Sequence, residues 1–547
     1  MAVPTTASPT SAASVRDAHV YRPPAVTGLV DLLDRQVRER PYARALVVTG
    51  ERVQVSYRGL ASLADEVAAR LVRTGLERGD AVGLVSANTI EFVVALLGAA
   101  RAGLVVAPLD PALPASQLSA RIRALGARAV LAGPPVSDAV LPVPVWPLRV
   151  RVSRAGTAAV ALDTATVPEV AGAATGLSDD DALVLFTAGT TGGAKMVPLT
   201  HANVAASLQN ICATYELGPN DATVAVMPFF HGHGLFAALL ATLAGGGCVL
   251  LPERGRFSAG TFWDDMRAVN ATWFTAVPAI HEILLDRSER EYPGSRAPHL
   301  KFVRSCSAPL NTATQRALER TFGAPLLSAY GMTESSHQAT SEPLPQRGEL
   351  KQGSVGRPTG VEVRVVDRSG RACAVGVEGE VWVHGPTVAR GYLADRVGTS
   401  YTFVDGWLRT GDLGALDAGG YLSLTGRIKN LINRGGEKIS PERVEDVLAG
   451  CPGVAAAAVF AVPDPVYGER SEMGVPPPEG WGRVGAAVVV REGEGDGAGV
   501  GPAEILRYCR ERLAAFEVPD RLEVVAALPY TAKGALDRKA VQARFAP

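Results

Sequence analysis

Short runs of apolar, often β-branched residues alternate with amphipathic stretches over most of the chain, from Gly28 to about Leu424. Examples are AVGLVSA followed by EFVVALLGAARAG, TVAVMPFF by GLFAALLATLAGGG, ATWFTAVP by AIHEILLDR, and KFVRSCS by ATQRALERTFG. A short apolar run followed by residues at helical spacing is typical of a βα unit. The repetition of this pattern predicts an α/β fold with mixed, mostly parallel sheets and flanking helices.

The pattern changes around Gly385, where short strands and glycine turns such as GEVWVHG and GYLSLTG predict a β-rich subdomain. A domain boundary is predicted at residues 427–430, after the turn Thr425-Gly426. Beyond it, helical stretches (PERVEDVLAG, PAEILRYCRERLA) and strand-like runs (VAAAAVFAV, GAAVVVRE, RLEVVAAL) predict a small α+β domain over 431–547. Within this domain the Pro/Gly-rich segments GVPPPEGWG and REGEGDGAGVGP are predicted to be exposed loops.

Composition narrows the classes of function. The 547 residues carry 54 basic and 55 acidic side chains, so no surface for nucleic acid is expected. No apolar run reaches the roughly 18 to 20 residues that span a bilayer. The Ala/Pro/Ser/Thr-rich segment 1–24 is predicted to be a disordered tail and not a secretory signal, ahead of a large domain over 25–426. The six cysteines form no CxxC pair, which favours a cytoplasmic protein with reduced thiols.

The strongest signal for chemistry is DALVLFTAGTTGGAKMVPLTHANV, residues 181–204. A strand from Ala182 to Phe186 leads into a loop of small, hydroxyl-bearing and cationic residues: Thr187, Gly189, Thr190, Thr191, Gly192 and Lys195. Glycines permit tight turns, backbone N–H groups and hydroxyls bind oxyanions, and a lysine adds positive charge. The spacing differs from that of a Walker loop, yet the segment predicts a binding site for phosphate groups.

This loop resembles that of the adenylate-forming (ANL) superfamily, whose usual form is T-S-G-T-T-G-x-P-K-G. Here Ala188, Ala194 and Met196 replace Ser, Pro and Gly. Further motifs follow in the family's order: Tyr330-Gly331-Met332-Thr333-Glu334, Thr410-Gly411-Asp412 and Gly426-Arg427-Ile428-Lys429. Long stretches such as MPFFHGHGLFAALL and INRGGEKISPERVE are similar to the oxalate–CoA ligase branch, a neighbour of the 4-coumarate–CoA ligases.

The resemblance implies a role for each matching residue. Tyr330, with Gly331 beside it, stacks on adenine; Thr333 contacts the α-phosphate; Glu334 holds Mg²⁺; Asp412 and Arg427 contact the ribose. Lys429 lies at the family's hinge, about which the mobile C-terminal domain rotates to present its Gly435-Gly436 loop for the second step.

The family's acid-binding pocket corresponds to segments that contain polar side chains in this chain: His231, His233, Ser305, Ser307 and His337, with Arg304 as a further candidate. Histidines and hydroxyls donate hydrogen bonds to several oxygens at once, which suits a compact anion better than an aryl or fatty chain. A His-x-His pair is also found in zinc sites, but no further ligand is in view, and any single histidine is as often structural.

One departure from the family concerns catalysis. The family usually ends in P-K-T-x-x-G-K, whose last lysine binds the carboxylate and α-phosphate, whereas here Ala535 occupies that position. Loss of a cation at developing phosphate charge costs about 10² to 10³ in rate. Three explanations stay open: Lys533 or Lys539 replaces the lysine after local rearrangement, the acid needs less help, or adenylation has been lost.

The leading hypothesis is an ATP-dependent, AMP-forming ligase in which Lys195, Thr333, Glu334, Lys533 and His231 act in catalysis. A small acid such as oxalate attacks the α-phosphate of MgATP and is then passed to CoA. A second hypothesis is a diazotase of secondary metabolism, which activates nitrite for reaction with an aromatic amine. A third is a degenerate ATP-binding protein without turnover.

Overall fold

A computed structural model describes residues 26–48, 53–135, 140–153, 158–164, 176–187, 194–434, 437–462, 483–490, 500–531 and 536–545. Several sequence predictions concern residues outside these ranges. They are the tail over 1–24, Gly189 to Gly192 of the phosphate loop, the Gly435-Gly436 loop, Lys533 and Ala535, and most of the two Pro/Gly-rich loops.

The strands are numbered in chain order. Up to residue 200 they are β1 (Arg44–Val48), β2 (Val53–Ser56), β3 (Ala81–Val85), β4 (Val105–Leu109), β5 (Ala129–Ala132), β6 (Val145–Val152), β7 (Ala158–Leu162), β8 (Asp181–Phe186) and β9 (Met196–Thr200). The middle of the chain contains β10 (Ala222–Val224), β11 (Cys248–Leu251), β12 (Trp273–Ala276), β13 (Phe302–Ser305), β14 (Leu326–Tyr330), β15 (Thr340–Ser341) and β16 (Arg357–Pro358). The last strands are β17 (Glu362–Val366), β18 (Gly379–His384), β19 (Phe403–Val404), β20 (Trp407–Leu416), β21 (Leu422–Arg427), β22 (Ile432–Arg434), β23 (Glu437–Ile439), β24 (Val454–Val462), β25 (Arg483–Val490) and β26 (Arg521–Val524).

The α-helices are α1 (Asp34–Glu39), α2 (Tyr57–Val72), α3 (Ile90–Arg101), α4 (Ala115–Leu125), α5 (His201–Tyr215), α6 (Ala241–Gly245), α7 (Ala259–Ala268), α8 (Pro278–Asp286), α9 (Ser288–Glu291), α10 (Thr312–Phe322), α11 (Arg396–Thr402), α12 (Pro441–Ala449), α13 (Pro502–Arg510) and α14 (Arg538–Phe545). A π-helix, His233–Leu240, precedes α6. Short 3₁₀ turns cover Gly294–Arg296, Thr333–Ser335 and Ile428–Asn430.

The largest sheet has seven strands in the order β7-β6-β5-β3-β4-β8-β9. Its inner pairs, from β6 across to β8, are parallel, and both edge strands run antiparallel to their neighbours. Strand β3 and helix α3 are buried throughout except at Arg101, as expected for a sheet covered on its faces. The predicted α/β class with mostly parallel sheets is therefore confirmed.

A five-stranded sheet, β12-β13-β14-β15-β16, carries the candidate site. Strands β12, β13 and β14 are parallel, and the register pairs Ala276 with Ser305 and Ser305 with Ser328. The carboxyl ends of these strands therefore lie side by side, where α/β proteins commonly bind ligands. A further sheet, β10-β11-β1-β2, brings the segment ahead of the π-helix to the same region.

The β-rich part predicted from Gly385 begins earlier, at Glu362. Strands β17 to β21 form one antiparallel sheet, in which β20 pairs with β18, β19 and β21. Strand β18 was predicted as GEVWVHG, but β17 was missed because it is half exposed and its apolar pattern is weak; the polar turn Asp367-Arg368-Ser369-Gly370 follows it. This sheet supplies Asp412 and Arg427.

The C-terminal part has its own group of buried apolar side chains between helices α12 and α13 and the sheet β24-β25-β26. The predicted helices and strands of this α+β region are confirmed, whereas the domain boundary at 427–430 stays a prediction. Across that boundary, the Ser440 hydroxyl donates to the Thr425 carbonyl at 2.6 Å, and the Asn430 amide donates to Glu442 at 2.6 Å.

All six cysteines are free, and all but Cys373 are buried. Among the described residues, no helix is long and apolar enough to cross a membrane.

Candidate active site

The acid side of the site lies at the carboxyl ends of β12 and β13 and at the start of the π-helix. His233, the first residue of the π-helix, is buried between these strand ends. Its Nε2 lies 2.6 Å from the Thr275 hydroxyl on β12, and its Nδ1 lies 3.1 Å from the Ser307 hydroxyl just after β13. Burial, the charge of Arg304 and the neighbouring histidines hold the pKa of His233 well below its usual value, so the imidazole is neutral.

Arg304, on β13, has no exposed surface. Its guanidinium donates to the hydroxyl of Tyr215 at 2.8 Å, to the hydroxyl of Thr275 at 3.2 Å and to the side-chain oxygen of Gln338 at 3.1 Å. These oxygens are neutral, and the group beside the guanidinium that can carry a negative charge is the Cys306 thiol and not a carboxylate. A buried cation of this kind raises the electrostatic potential of the pocket beside it, because little water is present to screen it.

The thiol of Cys306, next to Arg304, responds to that charge. Burial alone would raise its pKa, but the guanidinium and His337 lower the pKa to about 6. The side chain is 1% exposed. We take this thiol as a sign of how positive the local potential is, since nearby cations favour thiolates.

Three residues around the pocket have left-handed backbone conformations: Ser307 (φ 76°), Ser336 (φ 49°) and His337 (φ 64°). Such conformations are uncommon for residues other than glycine and cluster at functional sites. The Ser305 hydroxyl and the Nδ1 of His337 are buried without a hydrogen-bond partner. Two strained turns therefore place polar atoms at the same edge of the sheet.

His231 lies two residues before the buried His233 and is partly exposed. Its ring lies 4.7 Å from that of Phe230. Of the predicted acid-pocket residues, His233, Ser307 and His337 thus form one contact group, with Ser305 between Arg304 and Cys306 and His231 at its outer side.

The nucleotide side centres on Asp412 of β20. Its Oδ2 accepts a hydrogen bond of 2.5 Å from the Tyr330 hydroxyl at the end of β14, and its Oδ1 lies 2.7 Å from Nε of Arg427. Burial, followed by the charge of Asp412, raises the pKa of Tyr330 well above its usual value, so the phenol stays protonated and donates. Three predicted residues that are up to 97 positions apart in the chain therefore form one contact group.

A second contact group joins Glu334 and Lys195 through Tyr392. The Tyr392 hydroxyl donates to Oε1 of Glu334 at 2.8 Å, and Nζ of Lys195 lies 4.2 Å from the centre of the Tyr392 ring. Lys195 also lies 3.9 Å from Asp395. Glu334 is almost wholly buried, and burial raises its pKa.

Backbone contacts fix these side chains relative to one another. Leu393 N–H donates to the Met196 carbonyl directly after Lys195, and Ala389 N–H donates to the Glu334 carbonyl. The segment 389–395 thus links the phosphate loop to the Glu334 turn. At the base of the loop, Thr187 N–H donates to the Lys195 carbonyl at 3.0 Å, so β8 and β9 form a hairpin around it.

The remaining predicted residues lie close by. Gly331 and Thr333 belong to the turn between Tyr330 and Glu334. Lys429 lies in the 3₁₀ turn after β21, where burial and the charge of Arg427 lower its pKa while Asp412 and Glu334 oppose that effect. The charges of Arg427 and Lys195 both oppose the effect of burial on the pKa of Glu334, so cations from both nucleotide-side groups act on this carboxylate.

Sequence reasoning missed Thr275 and Tyr392 and undervalued Arg304. Thr275 lies inside an apolar strand, and Tyr392 lies in a loop with no phosphate-binding pattern, so neither has a local signal. Arg304 offered one, because an arginine within the apolar run KFVR is expected to be buried with partners.

Known proteins match most of this chain. The sequence profile of the AMP-binding enzyme family matches residues 33–393. An oxalate–CoA ligase of Arabidopsis thaliana is 41% identical over 525 residues, 94% of this chain and 98% of the relative. A probable CoA ligase of Humulus lupulus, CCL9, is 40% identical over 536 residues, 94% of this chain and 96% of the relative.

The crystal structure of ATP-bound MatB from Rhodopseudomonas palustris superposes with a TM-score of 0.80 and 29% identity. The match covers 95% of this chain and 99% of MatB. The profile match, the relatives that align almost end to end and the shared architecture lead to one conclusion: this chain belongs to the AMP-binding enzyme family, the adenylate-forming superfamily, as an ATP-dependent, AMP-forming acid–CoA ligase.

Proposed function

We propose that the acid is a compact dicarboxylate of the size of oxalate and that its acceptor is CoA. The observation that carries this proposal is the set of polar groups at the ends of β12 and β13, backed by the buried positive charge of Arg304. Donors on Ser307 and His337 suit an anion with oxygens at both ends, and His233 contacts the Ser307 hydroxyl. The 41% identical relative from Arabidopsis is an oxalate–CoA ligase.

Tight packing around His337 supports a small substrate. A Cβ atom added at Gly232 would lie 2.6 Å from Cδ2 of His337, and one at Gly331 would lie 2.5 Å from its backbone carbonyl carbon. Both glycines let the chain pack directly against His337, so little free space is left beside this residue. A phenyl ring or an alkyl chain in such surroundings would leave buried polar groups without partners, at about 1–3 kcal/mol each.

For the nucleotide we propose the roles that the matching motifs imply. Lys195 and the loop around Thr187 hold the phosphates, Thr333 contacts the α-phosphate, and Tyr330 packs against adenine. Asp412 and Arg427 hold the ribose; their present contacts with Tyr330 and each other keep them in place for it. Glu334 fits Mg²⁺, because one carboxylate together with substrate phosphates is a common donor set for this cation.

The first chemical step then follows from placement. A carboxylate oxygen held by Ser307, next to His233 and with His231 at the outer side, attacks the α-phosphorus and pyrophosphate leaves. Rotation about Lys429 would break the Ser440–Thr425 contact and bring the C-terminal domain into position for the attack of CoA on the acyl-adenylate, which releases AMP.

The test is a screen for AMP release by the full-length protein with MgATP, CoA and one acid at a time, with mass-spectrometric detection of the thioester. Oxalate, malonate, succinate, sulfoacetate, propionate and 4-coumarate sample charge, length and aromatic character. We expect oxalate to give the highest kcat/KM, with malonate next and 4-coumarate lowest. A higher kcat/KM for a monocarboxylate or an aryl acid contradicts the proposal.

A parallel arm with nitrite and an aminobenzoate tests the alternative acceptor chemistry. A diazo product from this arm, with no thioester from any acid, would replace the CoA proposal by the diazotase. ATP binding without AMP from any arm would identify a non-catalytic protein.

A further inference from the structure

The hydrogen bonds that start at Arg304 have a definite direction, because a guanidinium only donates. Arg304 donates to the Thr275 hydroxyl at 3.2 Å, and that hydroxyl lies 2.6 Å from Nε2 of His233. If the ring nitrogen donated as well, the Thr275 proton would be left buried without an acceptor, since Thr275 has no exposed surface. The arrangement that satisfies every group has Thr275 donating to Nε2.

This order fixes the proton on the other side of the ring. A neutral imidazole that accepts at Nε2 carries its hydrogen on Nδ1. Nδ1 lies 3.1 Å from Oγ of Ser307, so it donates to that oxygen. The hydroxyl hydrogen of Ser307, at an exposed position with a left-handed backbone, is then free to donate to a ligand.

A second branch from the same guanidinium shows the same direction. Arg304 Nε donates to the Tyr215 hydroxyl at 2.8 Å, so the phenol proton is directed to the Ser341 hydroxyl at 2.8 Å. Ser341 in turn donates to the Glu342 carbonyl at 2.9 Å. In both branches the hydroxyl groups donate away from Arg304, because the guanidinium occupies their acceptor side.

We propose that Arg304 and Thr275 are positioning residues that hold His233 in its Nδ1–H tautomer and thereby make Ser307 the hydrogen-bond donor that selects the anionic acid. The inference rests on the proposed acid pocket, but the tautomer itself does not depend on any substrate. Thr275 touches neither the acid nor ATP; it acts through His233.

The first experiment reads the tautomer directly. Two-bond ¹H–¹⁵N correlation spectra of the histidine-labelled full-length protein separate Nδ1–H from Nε2–H rings, and a His233→Gln sample identifies the His233 signals. We expect Nδ1–H alone in the wild type and in Thr275→Ser, which keeps the hydroxyl, and a mixture of the two tautomers in Thr275→Val, which has no donor for Nε2. An Nε2–H ring in the wild type overturns the proposal, whatever the substrate is.

The second experiment measures the consequence. Thr275→Val and Ser307→Ala should each raise the KM for the acid about tenfold with the KM for ATP changed less than twofold, and Thr275→Ser should restore the wild-type value. Because both substitutions remove the same donor, the double variant should be no more than about twofold worse than either single one. If the increases in the KM for the acid multiply in the double variant, Thr275 does not act through His233 on Ser307 and the proposal is overturned.

The two arms also separate this inference from the proposed function. If no small acid is converted, the proposed function fails, while the spectra still decide the tautomer. If oxalate is converted but Thr275→Val keeps the wild-type KM for the acid, the proposed role of Thr275 fails and the proposed substrate class stands.

Discussion

The two sides of the active site hold their functional groups by different means. On the nucleotide side, opposite charges meet near water: Arg427, with 45% of its side chain exposed, pairs with Asp412, and Lys195, with 39% exposed, lies near Asp395. On the acid side, a wholly buried guanidinium, a neutral histidine and three hydroxyls are joined by hydrogen bonds, and no ion pair with a carboxylate is among these contacts. The first arrangement leaves cations that a charged nucleotide can reach from solvent; the second is ordered before any ligand binds.

The difference follows from what each side has to recognise. A triphosphate with Mg²⁺ carries enough charge to displace protein ion pairs that water already weakens. A small acid offers few atoms, so selection depends on donors that are oriented before it binds. The most direct tests of this comparison are substitutions that remove a charge on the nucleotide side or a hydrogen bond on the acid side.

The largest effect is expected at Glu334. Glu334→Gln keeps the shape of the side chain and its contact with Tyr392 but removes the charge that we assign to Mg²⁺. We expect kcat for AMP formation to fall by about 10² to 10³. Glu342→Gln is the matched control, since Glu342 is also buried, with a pKa raised to about 7, but contacts the Lys351 backbone outside the site. Equal losses in both variants would contradict the assignment.

The next effect concerns the cation that the family motif places where this chain has Ala535. If Lys533 replaces it, Lys533→Met should lower the rate of pyrophosphate exchange by about 10², and Ala535→Lys in the same background should recover most of that loss. Lys539→Met is the control from the same segment and should change the rate less than threefold. A reversed order, with Lys539 the sensitive position, would assign the role to Lys539.

The contrast between the two sides also explains what the sequence allowed us to predict. The nucleotide groups belong to short motifs, such as Tyr330 to Glu334 and Thr410 to Asp412, whose spacing is local, and the apolar pattern predicted the strands that carry them. The contact between Thr275 and His233 depends on the register of β12 against β13 and on the π-helix, which replaces part of the predicted α-helix. No local pattern encodes these pairings, so Thr275, Tyr392 and the network around Arg304 emerged only in three dimensions.

The buried, uncharged histidines on the acid side predict a sensitivity to low pH. His281 is fully buried beneath Arg304, its Nε2 lies 3.2 Å from the Arg304 carbonyl, and burial lowers its pKa to about 4. Below about pH 6.5 the unfolded chain takes up a proton here that the folded chain refuses, so this group's contribution destabilises the fold as pH falls from about 6.5 to 4. At pH 5 the cost is about 2 kcal/mol.

His281→Gln removes the titrating group and keeps a donor for the Arg304 carbonyl. We expect the free energy of unfolding in urea to fall less from pH 7.5 to pH 5 in this variant than in the wild type, by about 2 kcal/mol. The exposed His299→Gln serves as the control and should run parallel to the wild type. If the free energy of unfolding of His281→Gln changes with pH in parallel with that of the wild type, His281 is protonated in the folded protein as easily as in the unfolded chain.

The smallest effect tests whether the nucleotide side depends on charge alone. Tyr392 donates to Glu334 and places its ring beneath Lys195, so Tyr392→Phe removes the hydrogen bond and keeps the ring, and Tyr392→Leu removes both. A partly exposed hydrogen bond worth about 1 kcal/mol predicts a roughly fivefold higher Mg²⁺ concentration for half-maximal AMP formation in Tyr392→Phe. Tyr392→Leu should add a factor of about two to five, whereas the exposed Tyr401→Phe should change nothing. If Tyr392→Phe matches the wild type at every Mg²⁺ concentration, burial and not this hydrogen bond orients Glu334. Hydrogen bonds would then orient functional side chains on the acid side but not at Glu334 on the nucleotide side.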